Sequence, residues 1–293
     1  MKRNISRGLN ILLFFLLPIL TTCSSAFPQP PTIYFYGLAS DVASNLKGVP
    51  YDIPMMEETF LTLAHNTGKQ IETLIRLERA DRQDVPYAAG ISKDVVLSDL
   101  HSILEKVSKY DIFIFYYTGH GILYDNKSSI VLSPSSDSVL YDLLDSSELY
   151  HILQKCQGTC IILLDTCFSG GFVDDQNEQL SIQMKDKVFT LTSSQKNQKS
   201  MDALSGRQNG HLTACLLEAL GWDYMAPHNL HYSNIPSLDY KGACTKIPPA
   251  KRKSSSVLTI SDIFTYVVTH DTYRLQIPET TDSPFDAVLF SWE

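Results

Sequence analysis

Positive charge is in short supply. The chain sets 24 lysines and arginines against 32 aspartates and glutamates, a formal net charge of −8 over 293 residues. Lys2, Arg3 and Arg7 fall in the first 26 residues, which carry no acid, so the rest is more acidic still. A body of this charge argues against a nucleic-acid partner. A membrane-spanning run is also missing near the amino terminus: residues 11–20 are apolar but interrupted by Pro18, and they fall short of the about 20 residues a membrane helix needs. Cysteine is scarce. Beyond Cys23 there are Cys156, Cys160, Cys167, Cys215 and Cys244, an odd set that leaves at least one thiol free in an oxidising compartment. No His or Cys stands at metal-ligand spacing around Cys156 and Cys160, which disfavours a redox or metal protein. Those two cysteines flank a turn, Gln157-Gly158-Thr159, and can pair if their geometry permits. No internal repeat is visible.

What is present begins with a leader. Residues 1–26 combine a basic start, an apolar stretch and a small, polar exit, the pattern of an export signal. Two exits compete. Leu20-Thr21-Thr22-Cys23 is similar to a bacterial lipoprotein box that would place a lipid on Cys23, whereas Ser24-Ser25-Ala26 suits cleavage before Phe27. The expected location is therefore the bacterial periplasm, a membrane-anchored lipoprotein or the medium, with membrane contact only through a lipid anchor at Cys23. Residues 27–293 are long enough for a single domain with one sizeable core.

Along that domain, strands and helices alternate. Residues 32–36 (TIYFY) read as a strand that opens into a loop at Gly37. A helix follows with Asp52 near its cap, then a strand at residues 71–77 and a helix over residues 92–110 with Ser92 as cap. Residues 112–121 (IFIFYYTGHG) form a buried strand ending in His120, and a polar stretch comes after it. A helix at residues 147–155, starting at Ser146 or Ser147, precedes residues 161–172 (IILLDTCFSGGF), where a second buried strand delivers Cys167. An acidic, polar segment, residues 173–187, leads to a strand at residues 188–192. A helix over residues 210–221, an irregular insertion at about 222–256, a helix at residues 260–270 and a strand at residues 287–292 complete the chain. This rhythm predicts an α/β fold, a mostly parallel sheet between helical layers, with chemistry at the carboxyl ends of its strands.

Cys167 and His120 are the residues on which chemistry would rest. A thiol is largely protonated at neutral pH and needs a base to act as a nucleophile, and His120 supplies one. Gly119, Gly121, Gly170 and Gly171 surround the two groups, leaving backbone N–H groups open to a substrate oxyanion.

YYTGHG followed some 45 residues later by LLDTCFSGG resembles the histidine and cysteine motifs of the caspase and metacaspase-like cysteine peptidases. Similar to that family, too, are LKGVPYD at residues 46–52, VFTLTSS, GHLTACLLEAL and LQIPE at residues 275–279. The resemblance implies a three-layer α/β/α sandwich of the caspase type and hydrolysis of peptide bonds in polypeptide substrates. Cys167 would attack the scissile carbonyl, His120 would protonate the leaving amine, and the N–H groups of Gly121 and Cys167 would hold the oxyanion. It further implies that Asp52 and Asp165 line the pocket for the residue before the cut bond; two carboxylates there favour arginine or lysine and repel aspartate. No cofactor is required, although some metacaspases bind activating calcium through acids such as Asp174, Asp175 and Glu178. Phe168 after the nucleophile and Tyr51 before Asp52 depart from the family pattern. Two other readings stay open: a catalytically inactive caspase-like scaffold, and a thiol hydrolase of asparagine or aspartate specificity.

Overall fold

The computed structural model describes residues 31–42, 46–79, 91–133, 142–203, 208–222, 257–270, 276–281 and 287–292. The leader, Cys23, Cys244 and the insertion beyond Trp222 lie outside these residues.

The organising element is a six-stranded sheet. It contains β1 (Thr32–Asp41), β2 (Gln70–Arg79), β3 (Ile112–Gly119), β7 (Thr159–Asp165), β8 (Val188–Thr192) and the two-residue β10 (Glu279–Thr280). Their spatial order is β10-β8-β7-β3-β1-β2, and every pairing is parallel except that of β10 with β8. A strand buried on both faces reads as an uninterrupted apolar run, and β3 is indeed buried at every residue.

The faces carry two separate cores. On one side Ile33, Phe35, Ile114, Tyr116, Ile161 and Leu163 pack under α1 (Val49–Thr67), α6 (His211–Ala219) and α7 (Ile260–His270). On the other, Tyr36, Leu38, Phe115, Tyr117, Ile162 and Leu164 pack under α2 (Lys93–Leu104) and α3 (Ser146–Leu153). The strict alternation along each strand assigns neighbours to opposite layers, and each large aliphatic or aromatic side chain so buried contributes about 1.5–3 kcal/mol. The result is the expected three-layer α/β/α sandwich.

Several boundaries differ from the sequence reading. β1 runs through Gly37, Ala39 and Ser40 to Asp41, because central position between β2 and β3 overrides the weak strand preference of those residues. The polar stretch after His120 holds a second, three-stranded antiparallel sheet of β4 (Gly121–Tyr124), β5 (Lys127–Leu132) and β6 (Asp142–Asp145). Its first hairpin turns through Asp125 and Asn126, both with positive φ, a conformation these residues tolerate. The cap of α3 is Asp145, which accepts the Glu148 amide at 2.8 Å while the Glu148 carboxylate accepts the Asp145 amide at 3.2 Å. The acidic segment after Phe172 is helical, as α4 (Gly170–Gln179) and α5 (Ile182–Lys185). The last strand, β11 (Val288–Ser291), pairs antiparallel with β9 (Val257–Thr259) away from the main sheet. Cys156 and Cys160 are free, buried thiols joined by a hydrogen bond rather than a disulfide.

Candidate active site

Three neighbouring strand ends build the site. Register pairs Ser40 of β1 with Gly119 of β3, and Thr118 of β3 with Asp165 of β7. One step beyond the first pair are Asp41 and His120; two steps beyond the second are His120 and Cys167. Asp41, His120 and Cys167 thus stand level in one row across adjacent chains.

The backbone there is tightly held. His120 places its carbonyl where the Tyr117 hydroxyl donates at 2.7 Å and the Val131 amide at 3.0 Å. Gly119 has φ +149°, and a Cβ on it would collide with the Ser40 carbonyl oxygen, so glycine alone fits. A Cβ on Gly121 would strike the Cys167 carbonyl and the Thr166 hydroxyl, which means that the peptide units of Gly121 and Cys167 are packed side by side.

Around Cys167 the flanking amides are occupied: Thr166 donates to Ser193 Oγ at 3.0 Å, Phe168 to the Gln198 carbonyl at 2.7 Å, and Ser169 to Ser194 Oγ at 3.3 Å. For the Cys167 amide, no acceptor beyond its own residue occurs among the described residues. Phe168 adopts φ +61°, a left-handed conformation that costs a bulky residue about 1–3 kcal/mol and turns the chain sharply after the nucleophile. The Cys167 thiol lies 4.0 Å from the Ser200 carbonyl oxygen. Burial pushes this thiol above its usual range, with Lys199 pulling the other way. It therefore needs a base at the moment of attack.

Asp52 and Asp165 meet beside this row. Asp52 lies in the first turns of α1, fully buried, and is no cap: the helix opens at Gly48, whose amide, like that of Lys47, is taken by the Asp202 carboxylate at 2.8 and 2.7 Å. Asp52 accepts from Thr118 Oγ1 at 2.7 Å, Asn209 Nδ2 at 3.1 Å and the Gly210 amide at 3.0 Å. Asp165 accepts the Thr213 amide at 3.0 Å and hydroxyl at 2.8 Å, and the Ser200 hydroxyl at 3.1 Å. Both carboxylates so face the amino terminus of α6, whose own N-cap, Gly210, offers no side chain. Burial and the nearby Asp165 charge push Asp52 up to about 7, against the three hydrogen bonds that favour its ionised form.

Leu46, Asp52, Thr118, His120, Asp165, Cys167, Ser200, Met201, Asp202 and Gly210 line one pocket of about 50 Å³. That is room for a few waters and not for an extended side chain. The loop carrying Ser200, Met201 and Asp202 forms part of its wall, held by the Gln276 side chain, which accepts the Met201 amide at 2.6 Å.

The remaining sequence candidates lie elsewhere. Asp174 and Glu178 are exposed on α4, and Asp175 accepts the Ser146 hydroxyl at 2.5 Å. Among the described residues no three His, Cys, Asp or Glu side chains come together as a metal-binding group, and no step is routed through calcium. Asp202, Ser200, Thr213 and Asp41 escaped the sequence reading. Only the register of β1, had its full length been recognised, pointed to Asp41.

No curated protein matches the chain. A protein of Geobacter sulfurreducens shares 17% identity, covering 90% of this chain and 100% of its own, with a TM-score of 0.50. The Drosophila initiator caspase Dronc shares 10% identity, covering 89% of this chain and 82% of its own, with a TM-score of 0.51. At such identities the likeness is one of fold. A family model described as a caspase domain matches residues 32–285, most of the chain, and the chain therefore belongs to the caspase-domain family of cysteine peptidases.

Proposed function

We propose that this protein is a cysteine endopeptidase that cuts polypeptides after arginine or lysine. The observation that carries the reading is the convergence of His120, Cys167, Asp52 and Asp165 on one pocket at the ends of β3 and β7. The thiol proton passes to His120 as the sulfur attacks the scissile carbonyl; an S–C bond forms and the carbonyl π pair moves onto oxygen. The Gly121 and Cys167 amides stabilise that oxyanion. When the pair returns, the C–N bond breaks and the amine departs with the proton from His120. Water hydrolyses the thioester, releasing the acid and restoring the thiol.

Two buried carboxylates side by side repel one another, and an entering guanidinium or ammonium relieves that repulsion, whereas an aspartate side chain would add to it. Admission of a basic side chain requires the Ser200–Asp202 loop to yield, since the pocket, at about 50 Å³, is too small for one in its present form. On this reading the enzyme needs no cofactor, and calcium enters only as a variable to be tested. The leader is read as exporting the chain, with a lipid on Cys23 as its membrane contact.

A panel of fluorogenic peptides differing only in the residue before the bond, run with and without calcium, tests the assignment. Cleavage after arginine and lysine, abolished in Cys167→Ala, is expected. Preference for aspartate would overturn the pocket argument, and turnover of none of the peptides by the folded chain would favour a scaffold.

A further inference from the structure

Behind His120 lies a carboxylate to which no role has been given. Asp41, at the end of β1, is fully buried, and its Oδ1 stands 3.4 Å from His120 Nε2. That nitrogen is itself shut off from solvent and makes no hydrogen bond among the described residues. The Asp41 carboxylate also accepts the Leu46 amide, at 3.4 and 3.3 Å. A buried carboxylate beside a buried, otherwise unpartnered imidazole nitrogen is costly unless a proton lies between them.

Resting on the reading of His120 as the base, we infer that Asp41 is the positioning residue of the site. It holds the proton of neutral His120 on Nε2, so that Nδ1 presents its lone pair to the thiol, and it steadies the imidazolium formed when Cys167 attacks. Asp41 touches neither substrate nor sulfur and acts only through the ring. The fold supplies the arrangement without a loop: Ser40 and Gly119 are register partners, so Asp41 and His120 follow side by side on adjacent parallel strands. Ala39 and Asp41 share strand parity, and Ala39 packs in the α1 layer, which puts Asp41 on the face where Asp52 also lies. Other titratable groups facing the ring's surroundings are Cys167 and Asp165 from the β7 end, Asp52 of α1, Asp202 of the Ser200–Asp202 loop and Tyr117 of β3.

Two measurements on the full chain test the assignment. In steady-state cleavage of an arginyl peptide, Asp41→Asn and Asp41→Ala should lower kcat about ten- to a hundredfold with KM held within about twofold, the size of effect seen when a functional histidine elsewhere, such as a metal-bound one, loses the carboxylate that orients it. Nitrogen-15 histidine NMR, recorded on Cys167→Ala with and without Asp41→Asn, should show the neutral His120 proton on Nε2 only while the carboxylate is present. Asparagine keeps the size of Asp41 and an acceptor for Leu46, so a role confined to holding that loop predicts wild-type kcat and an unchanged tautomer, either of which would overturn the inference. A loss seen only in KM and unfolding midpoint would overturn it equally. If wild type cuts no peptide, the peptidase reading fails, while the tautomer measurement alone still decides the role of Asp41.

Discussion

At the scale of single residues, protonation is the quantity to follow. Asp52 holds a proton that an incoming basic side chain must displace. KM for an arginyl peptide should therefore rise roughly tenfold per unit as pH drops below about 7, and this slope should vanish in Asp52→Asn. The same group affects stability. With its folded value above the ordinary aspartate value near 4, the native state holds the extra proton between that value and about 7, so stability declines as pH rises through this window. Urea midpoints across pH 4 to 7 should show a weaker decline in Asp52→Asn. Cys167 gives a separate test: because burial raises its thiol, alkylation by iodoacetamide should keep accelerating past pH 9 instead of levelling off near neutrality. Of these residues, Cys167, His120, Asp52 and Asp165 were legible because motif and neighbour announce them. Asp41 was not, since a lone acid after Ala39 and Ser40 resembles the start of any loop.

Among the elements, caps decide the most. Asp145 and Glu148 close the first turn of α3 reciprocally, and Asp145→Ala should cost about 1 kcal/mol, read as a lower urea midpoint at unchanged slope. The strands and helices with strong periodicity, β3, β7, β8 and α7, were readable almost to the residue. Ser92 likewise stands where expected, its hydroxyl accepting the Val95 amide at 3.5 Å. Two of the misreadings share a cause, an element end set from a distance: β1 is extended by its two neighbours, and α1 opens at Gly48 rather than near Asp52. The Lys47 and Gly48 amides, at the entry to α1, donate to Asp202, 155 and 154 positions away. No local pattern encodes such partners. The β4-β5-β6 sheet was missed because polar Ser128 and Ser129 mask a strand that is nonetheless buried.

For the molecule as a whole, layer order and strand direction were legible from the alternation of runs and helices, because parallel strands covered on both faces leave little freedom of composition. The small volume of the pocket was not, since it depends on how the Ser200–Asp202 loop lies against the sheet end. One consequence of the row formed by Asp41, His120 and Cys167 concerns inheritance. Three residues from three separate segments stay level only while each strand keeps its length, and a single inserted or deleted residue turns every later side chain to the opposite face. Across distant relatives, changes of chain length should therefore avoid the carboxyl-terminal halves of β1, β3 and β7 together, so that these short blocks diverge by substitution alone.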